Sequence, residues 1–90
     1  MRFEWDDNKR VSDLDKHGID FVDAELVFDG RSVVSVPSPY PDEVRSLTTG
    51  FVEGRLITVV WTQREDAIRF ISARRARDGE IREYRAIHRG

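Results

Sequence analysis

The sequence predicts an α+β fold in which two amino-terminal helices pack on a twisted antiparallel sheet of about four strands, with a helix at the carboxyl end. Three observations carry this expectation. Before residue 30 the apolar residues recur at helical spacing. From Ser32 onward the apolar period drops to two, as on a half-buried strand. The later strands are separated by short polar turns, which demand antiparallel neighbours. With 90 residues, 39% hydrophobic and 36% charged, the chain is expected to form a single domain with a modest core.

Taken in order, Phe3-Glu4-Trp5 reads as a short strand, and Asp6-Asp7-Asn8 as a helix cap. A helix follows from about Asn8 to His17, with Val11 and Leu14 as its apolar stripe and Gly18 as its stop. Asp20 opens a second helix, whose Phe21, Ala24, Val27 and Phe28 share one face and which Asp29-Gly30 ends. Strands are expected at 32–36, 45–51, 55–62 and 67–73. The prolines at 37, 39 and 41 mark a loop that no central ladder could contain. Val52-Glu53-Gly54 is a turn, and 63–66 a hairpin loop. On the third of these strands Ile57, Val59 and Trp61 point one way, and Leu56, Thr58, Val60 and Thr62 the other. The last helix spans about Arg77 to His88.

Composition removes several function classes. The chain has no cysteine, so disulfides and thiolate metal sites are excluded, in keeping with a cytoplasmic setting. No apolar run approaches the roughly 20 residues of a membrane span. Arg2, Glu4, Asp6 and Asp7 stand where a secretion signal would be apolar. The two histidines, His17 and His88, belong to different helices and form no ligand cluster, so no metal or other cofactor is expected.

The net charge of −2 conceals an imbalance. Residues 1–44 hold 11 acidic and 5 basic residues, a net of −6, and residues 45–90 hold 6 and 10, a net of +4. Every cation in the second half is arginine, including Arg64, Arg69, Arg74, Arg75 and Arg77 within 64–77. Guanidinium stays protonated and presents a planar fork of donors that matches phosphate. The alternative for each such residue is a solvated or salt-bridged face.

Several strings then line up: F-E-W-D-x-N-K at 3–9, K-H-G-I-D-F at 16–21, A-x-x-V-F-D at 24–29, and E-x-R at 43–45. G-R-L-I-T-V-V-W-T-Q-R at 54–64, I-R-F-I-S-A-R-R-A at 68–76 and E-x-R-E-Y at 80–84 complete the set. In this order and spacing the chain resembles the BrnT family of bacterial type II toxins over essentially its whole length. The resemblance implies a RelE-like fold and a ribonuclease that arrests growth. It also implies a BrnA-like antitoxin with a ribbon-helix-helix part, through which operator DNA would be met only indirectly.

The expected chemistry is metal-independent: the RNA's own 2′-hydroxyl attacks the neighbouring phosphorus while the protein neutralises the growing charge. Arg64 and Arg74, which occupy the T-x-R and S-A-R positions, are expected to converge on that phosphate. His17 is the candidate proton carrier, imidazole being a side chain suited to general acid–base work, although a cation beside Gly18 also suits a helix end. Lys16, Arg45, Arg69 and Arg75 are expected to contact RNA. Trp5 is either core or a base-stacking ring. For Arg69 and Arg74 to serve one site, a bulge or the strand end must intervene, because their separation puts them on opposite faces of a regular strand. The rival expectation, prompted by the negative net charge, is a non-catalytic, toxin-derived module that partners the antitoxin as co-repressor. A weaker third is a plain RNA-binding protein.

Overall fold

The computed structural model describes residues 1–39 and 44–88; Pro41 of the predicted loop, Glu43 and Arg89 lie outside them. The chain runs β1 (Arg2–Glu4), α1 (Asp7–His17), α2 (Phe21–Ala24), a 3₁₀ segment (Glu25–Phe28), β2 (Val33–Pro37), β3 (Ser46–Val52), β4 (Arg55–Arg64), β5 (Ala67–Arg75) and α3 (Asp78–Ile87). The α+β class is as expected, but the sheet differs. It has five strands in the order β1-β5-β4-β3-β2 and is mixed, since β1 lies parallel to β5 with Phe3 opposite Ile68. A three-residue strand whose partner is 65 positions away leaves no local sign of its pairing.

One face of the sheet is covered by α2 and the 3₁₀ segment. Ile57, Val59, Phe70 and Ala73 from the strands meet Phe21, Ala24 and Val27 there, each of them at most 2% exposed. Phe70 is the centre: its ring lies 5.3 Å from Phe3, 5.8 Å from Trp5, 5.9 Å from Phe21 and 5.7 Å from Phe28. Half-buried Trp5 therefore packs against the core, the first of its two expected roles. Phe21, Ala24 and Val27 repeat every three residues, which suits three residues per turn better than 3.6. The predicted second helix accordingly tightens to 3₁₀ after Ala24.

Helix α1 starts as its residues require. The Asp6 carboxylate accepts from the Asn8 amide at 2.8 Å and the Lys9 amide at 3.3 Å. It ends at Gly18, whose φ of 70° is left-handed and whose amide returns to the Leu14 carbonyl at 2.9 Å. Its buried stripe is not the predicted one: Val11 is 67% and Leu14 43% exposed, while Asp13 is 4% exposed. The cause lies in β5. Beyond the end of β1 its edge amides have no strand to bond, and Asp13 Oδ2 accepts from the Ala73 amide at 2.9 Å. A buried amide left unbonded costs about 1–3 kcal/mol, enough to draw a carboxylate inward.

The turns are tighter than the sequence suggested. Glu53 and Gly54 both have positive φ, 51° and 80°, as a two-residue hairpin loop requires. Strand β4 continues to Arg64, so the predicted 63–66 loop shrinks to Glu65-Asp66. Alternation along β4 is as expected, with Ile57, Val59 and Trp61 on the covered side. Strand β5 carries the bulge. Val60 pairs with Ser72 and Trp61 with Phe70, which leaves Ile71 as the extra residue. The bulge lets Phe70 and Ala73 both face the core. It also puts Arg69, opposite Thr62, and Arg74, opposite Thr58, on one side of the sheet.

That second side is partly covered by α3, whose Tyr84 meets Phe51 edge-on at 5.5 Å and donates to the Ser32 carbonyl at 3.3 Å. His88, at the end of α3, donates from Nε2 to the Val33 carbonyl at 2.8 Å.

Candidate nucleic-acid interface

The open side of the sheet carries a polar row one residue wide. Register places Thr49 of β3 opposite Thr58 of β4, and Thr58 opposite Arg74 of β5. Thr58 donates its hydroxyl proton to Glu80 Oε1 at 3.0 Å, so the 2.8 Å contact with Thr49 must use the Thr49 proton. Arg74 grips the Glu80 carboxylate with both ends of its fork, Nη1 to Oε1 at 2.8 Å and Nη2 to Oε2 at 3.0 Å. Glu80 also reaches back to the Arg77 amide at 2.8 Å and so closes the first turn of α3. Burial opposes ionisation of Glu80, but the Arg74 fork, the Arg77 amide and the Thr58 hydroxyl outweigh it, and the carboxyl is lowered from 4.5 to about 2.

The Arg74–Glu80 end of this row lines a groove of about 370 Å³ across the sheet. Lys9, Arg45, Arg74 and Arg77 line it, with Glu80 as the single acid among the described lining residues and Ser72 near the bulge. A chain of net charge −2 thus presents a concavity lined by four cations. Arg74 side-chain exposure is only 11%, so its fork is fixed in place. Three of its N–H donors are used, two by Glu80 and one by the Arg75 carbonyl at 3.3 Å, which leaves two of five.

The expected residues divide. Arg74 and Arg45 line the groove. Arg64 does not join Arg74. It stands at the tip of the β4–β5 hairpin, six residues along β4 from the Arg74 partner Thr58, which is about 20 Å at strand rise. The convergence of the two on one phosphodiester is therefore corrected. The T-x-R and S-A-R strings lie at opposite ends of adjacent antiparallel strands. Arg64 is exposed and has no ion-pair partner among the described residues. Arg69 shares the face of Arg74 through the bulge, but donates to Glu4 across the β1–β5 pair at 2.9 Å.

His17 sits half-buried in the last turn of α1 and lines neither the groove nor the cleft described below; Lys16 beside it is exposed. Neither is brought to Arg74. Arg75, next to Arg74 on the strand, lines that second concavity.

Lys9, Arg77 and Glu80 were not among the site residues expected from sequence, although two of them stand in the strings quoted above. Lys9 ends F-E-W-D-x-N-K and Glu80 opens E-x-R-E-Y. Arg77 reads as the wet side of the last helix until Glu80 fixes it as the cap position of α3. Among the described residues no three histidines, cysteines or carboxylates are grouped as metal ligands would be, and no helix is long and apolar enough to cross a membrane.

The groove and its arginine-rich strand agree with what the chain is similar to. No curated protein matches it. Residues 5–80, which span the polar row, Lys9, Arg45 and Arg77, match the family described as the ribonuclease toxin BrnT of type II toxin–antitoxin systems. The chain belongs to the BrnT family of type II toxin–antitoxin ribonuclease toxins.

Proposed function

We propose that the groove binds an RNA phosphodiester and cuts it without a metal ion. The observation that carries this reading is the Arg74 fork, immobilised by Glu80 in a groove lined by further cations. Pre-placed donors of this kind act on charge as it develops on phosphate oxygens, each worth about 3–4 kcal/mol at the transition state. The RNA 2′-oxygen attacks phosphorus, the P–O5′ bond breaks, and the products end in a 2′,3′-cyclic phosphate and a 5′-hydroxyl.

Two protons must move. Glu80, held near 2, is too weak a base to take the first, which leaves to solvent. Of the cations lining the groove only Lys9 can give up a proton, since guanidinium does not do so at ordinary pH. Lys9 is therefore the donor to the departing 5′-oxygen. Lys9 Nζ lies 3.9 Å from Asp13 Oδ1, on the helix that seals β5. An antitoxin of the BrnA-like, ribbon-helix-helix kind would silence the protein in the cytoplasm by covering this groove, and operator DNA would be reached through that partner.

The test is incubation of the purified chain with RNA in EDTA, with end-group analysis of the products. Cyclic-phosphate ends are expected, as is loss of cutting in Arg74→Ala and in Lys9→Gln. Intact RNA with well-folded protein would overturn the reading.

The same ion pair favours a second reading. Because Glu80 offsets the Arg74 charge, the protein could instead be a non-catalytic co-repressor built on a toxin scaffold. Expression without antitoxin separates the two: growth arrest supports the first, and normal growth with tightened operator binding by the pair supports the second.

A further inference from the structure

A second concavity, of about 270 Å³, lies where the β3–β4 turn and the end of β5 meet α3. Arg55, Arg75 and Arg85 line it, with Phe51, Leu56 and Ile81 as the apolar part of its wall, and no carboxylate among the described lining residues. Its charge is not spent internally. Arg55 gives one N–H to the Gly18 carbonyl at 3.1 Å. Arg75 and Arg85 are exposed, and neither has an ion-pair partner among the described residues. By contrast Arg10, Arg31 and Arg74 are each held in a two-pronged pair with a carboxylate. Three arginines that line one concavity without an acid leave its positive charge uncompensated, an arrangement that an anion relieves.

Two further features indicate which anion. Phe51 is 42% exposed at the same concavity, and an aromatic face beside guanidinium groups is what an unpaired base and its phosphate require. The cleft also adjoins the groove through the backbone: Arg74 lines the groove, and the next residue, Arg75, lines the cleft. One strand of nucleic acid crossing the β5–α3 junction would reach both.

We propose that the Arg55–Arg75–Arg85 cleft, with Phe51, is a second RNA subsite, which holds a phosphate and stacks a base of the strand whose scissile bond lies in the groove. The inference rests on the RNA reading above and adds where the flanking nucleotide goes.

The experiment uses the full chain and a single-stranded 2′-O-methyl oligonucleotide, which cannot be cut by 2′-hydroxyl attack, with anisotropy read over a salt series. Cleavage of an unmodified oligonucleotide of the same sequence is measured beside it. Arg85→Gln and Arg75→Gln, each checked by circular dichroism, are expected to weaken binding about threefold to tenfold and to reduce the salt slope by about 0.7. Their loss in cleavage should fall on KM rather than kcat, and Arg85→Lys should restore most of the slope. Wild-type affinity and slope in both glutamine variants would overturn the proposal. So would unchanged RNA binding combined with weakened antitoxin binding, which would assign the cleft to the protein partner. If the wild type binds but never cuts, the cleavage reading fails, and the cleft stands or falls on the variants' affinities alone.

Discussion

The two faces of the sheet solve burial in opposite ways. On the covered face the strands present Ile57, Val59 and Phe70 to aromatic rings, and stability comes from apolar area and packing without direction. On the other face, one rung across β3, β4 and β5 is polar: Thr49, Thr58 and Arg74, closed by Glu80. Thr58 is as inaccessible as Val59 beside it, both at 0%. A buried hydroxyl is tolerable only because each hydroxyl in the row has an acceptor for its proton, and among the described residues no buried side-chain nitrogen or oxygen lacks a partner. The apolar face can absorb modest changes of shape. The polar rung cannot lose a member without stranding the next.

The contrast can be broken most severely at Phe70. Phe70→Ala removes a ring that meets four others and should lower unfolding free energy by about 3–5 kcal/mol in denaturant titration, since the cavity cannot collapse around so many neighbours. Cutting per folded molecule should survive. Arg74→Ala reverses that pattern. Cleavage should fall about 100-fold or more, while stability drops by only about 1–3 kcal/mol, because Glu80 loses its fork but keeps Thr58 and the Arg77 amide. Equal loss of stability in the two variants would show that the faces do not divide the work.

Acid sharpens the comparison further. The folded-state value of Glu80 is depressed from 4.5 to about 2, so its stabilising contribution is complete above about 4.5 and is lost as pH falls toward 2. Allowing for screening at a groove wall open to water, the loss is about 1–2 kcal/mol. Glu80→Gln should flatten that part of the pH–stability curve, whereas Phe70→Ala should leave its shape intact. The smallest change is expected at Arg64. Arg64→Ala on the exposed hairpin tip should alter stability by less than about 0.5 kcal/mol, with cutting within a few-fold of wild type. A loss as large as that of Arg74→Ala would mean that RNA reaches the tip as well.

Much of this was legible in the residues. The caps at Asp6 and Asp20, the stop at Gly18 and the alternation along β4 follow from local stereochemistry, and each appears where expected. The α1 stripe misled because burial there answers to a strand edge and not to hydropathy: Asp13 is needed by the Ala73 amide, 60 residues away. Arg64 and Arg74 misled for a related reason. Spacing along the chain measures distance along a strand, and a hairpin returns the second residue to the far end of the pair. Glu80 was invisible as a site residue because a glutamate at the start of a helix is explained well enough by capping.

What the order of residues settled was therefore local: where helices begin and stop, which strand positions alternate, that no thiolate chemistry is available, and that the later cations are all guanidinium. These follow from short-range sterics and side-chain chemistry, which need no distant partner. Which guanidinium groups are fixed, which are left free and which share a concavity depended on register, on the Ile71 bulge and on the parallel seat of β1. Those are long-range pairings, in which a shift of one residue moves a side chain through the sheet to its other face.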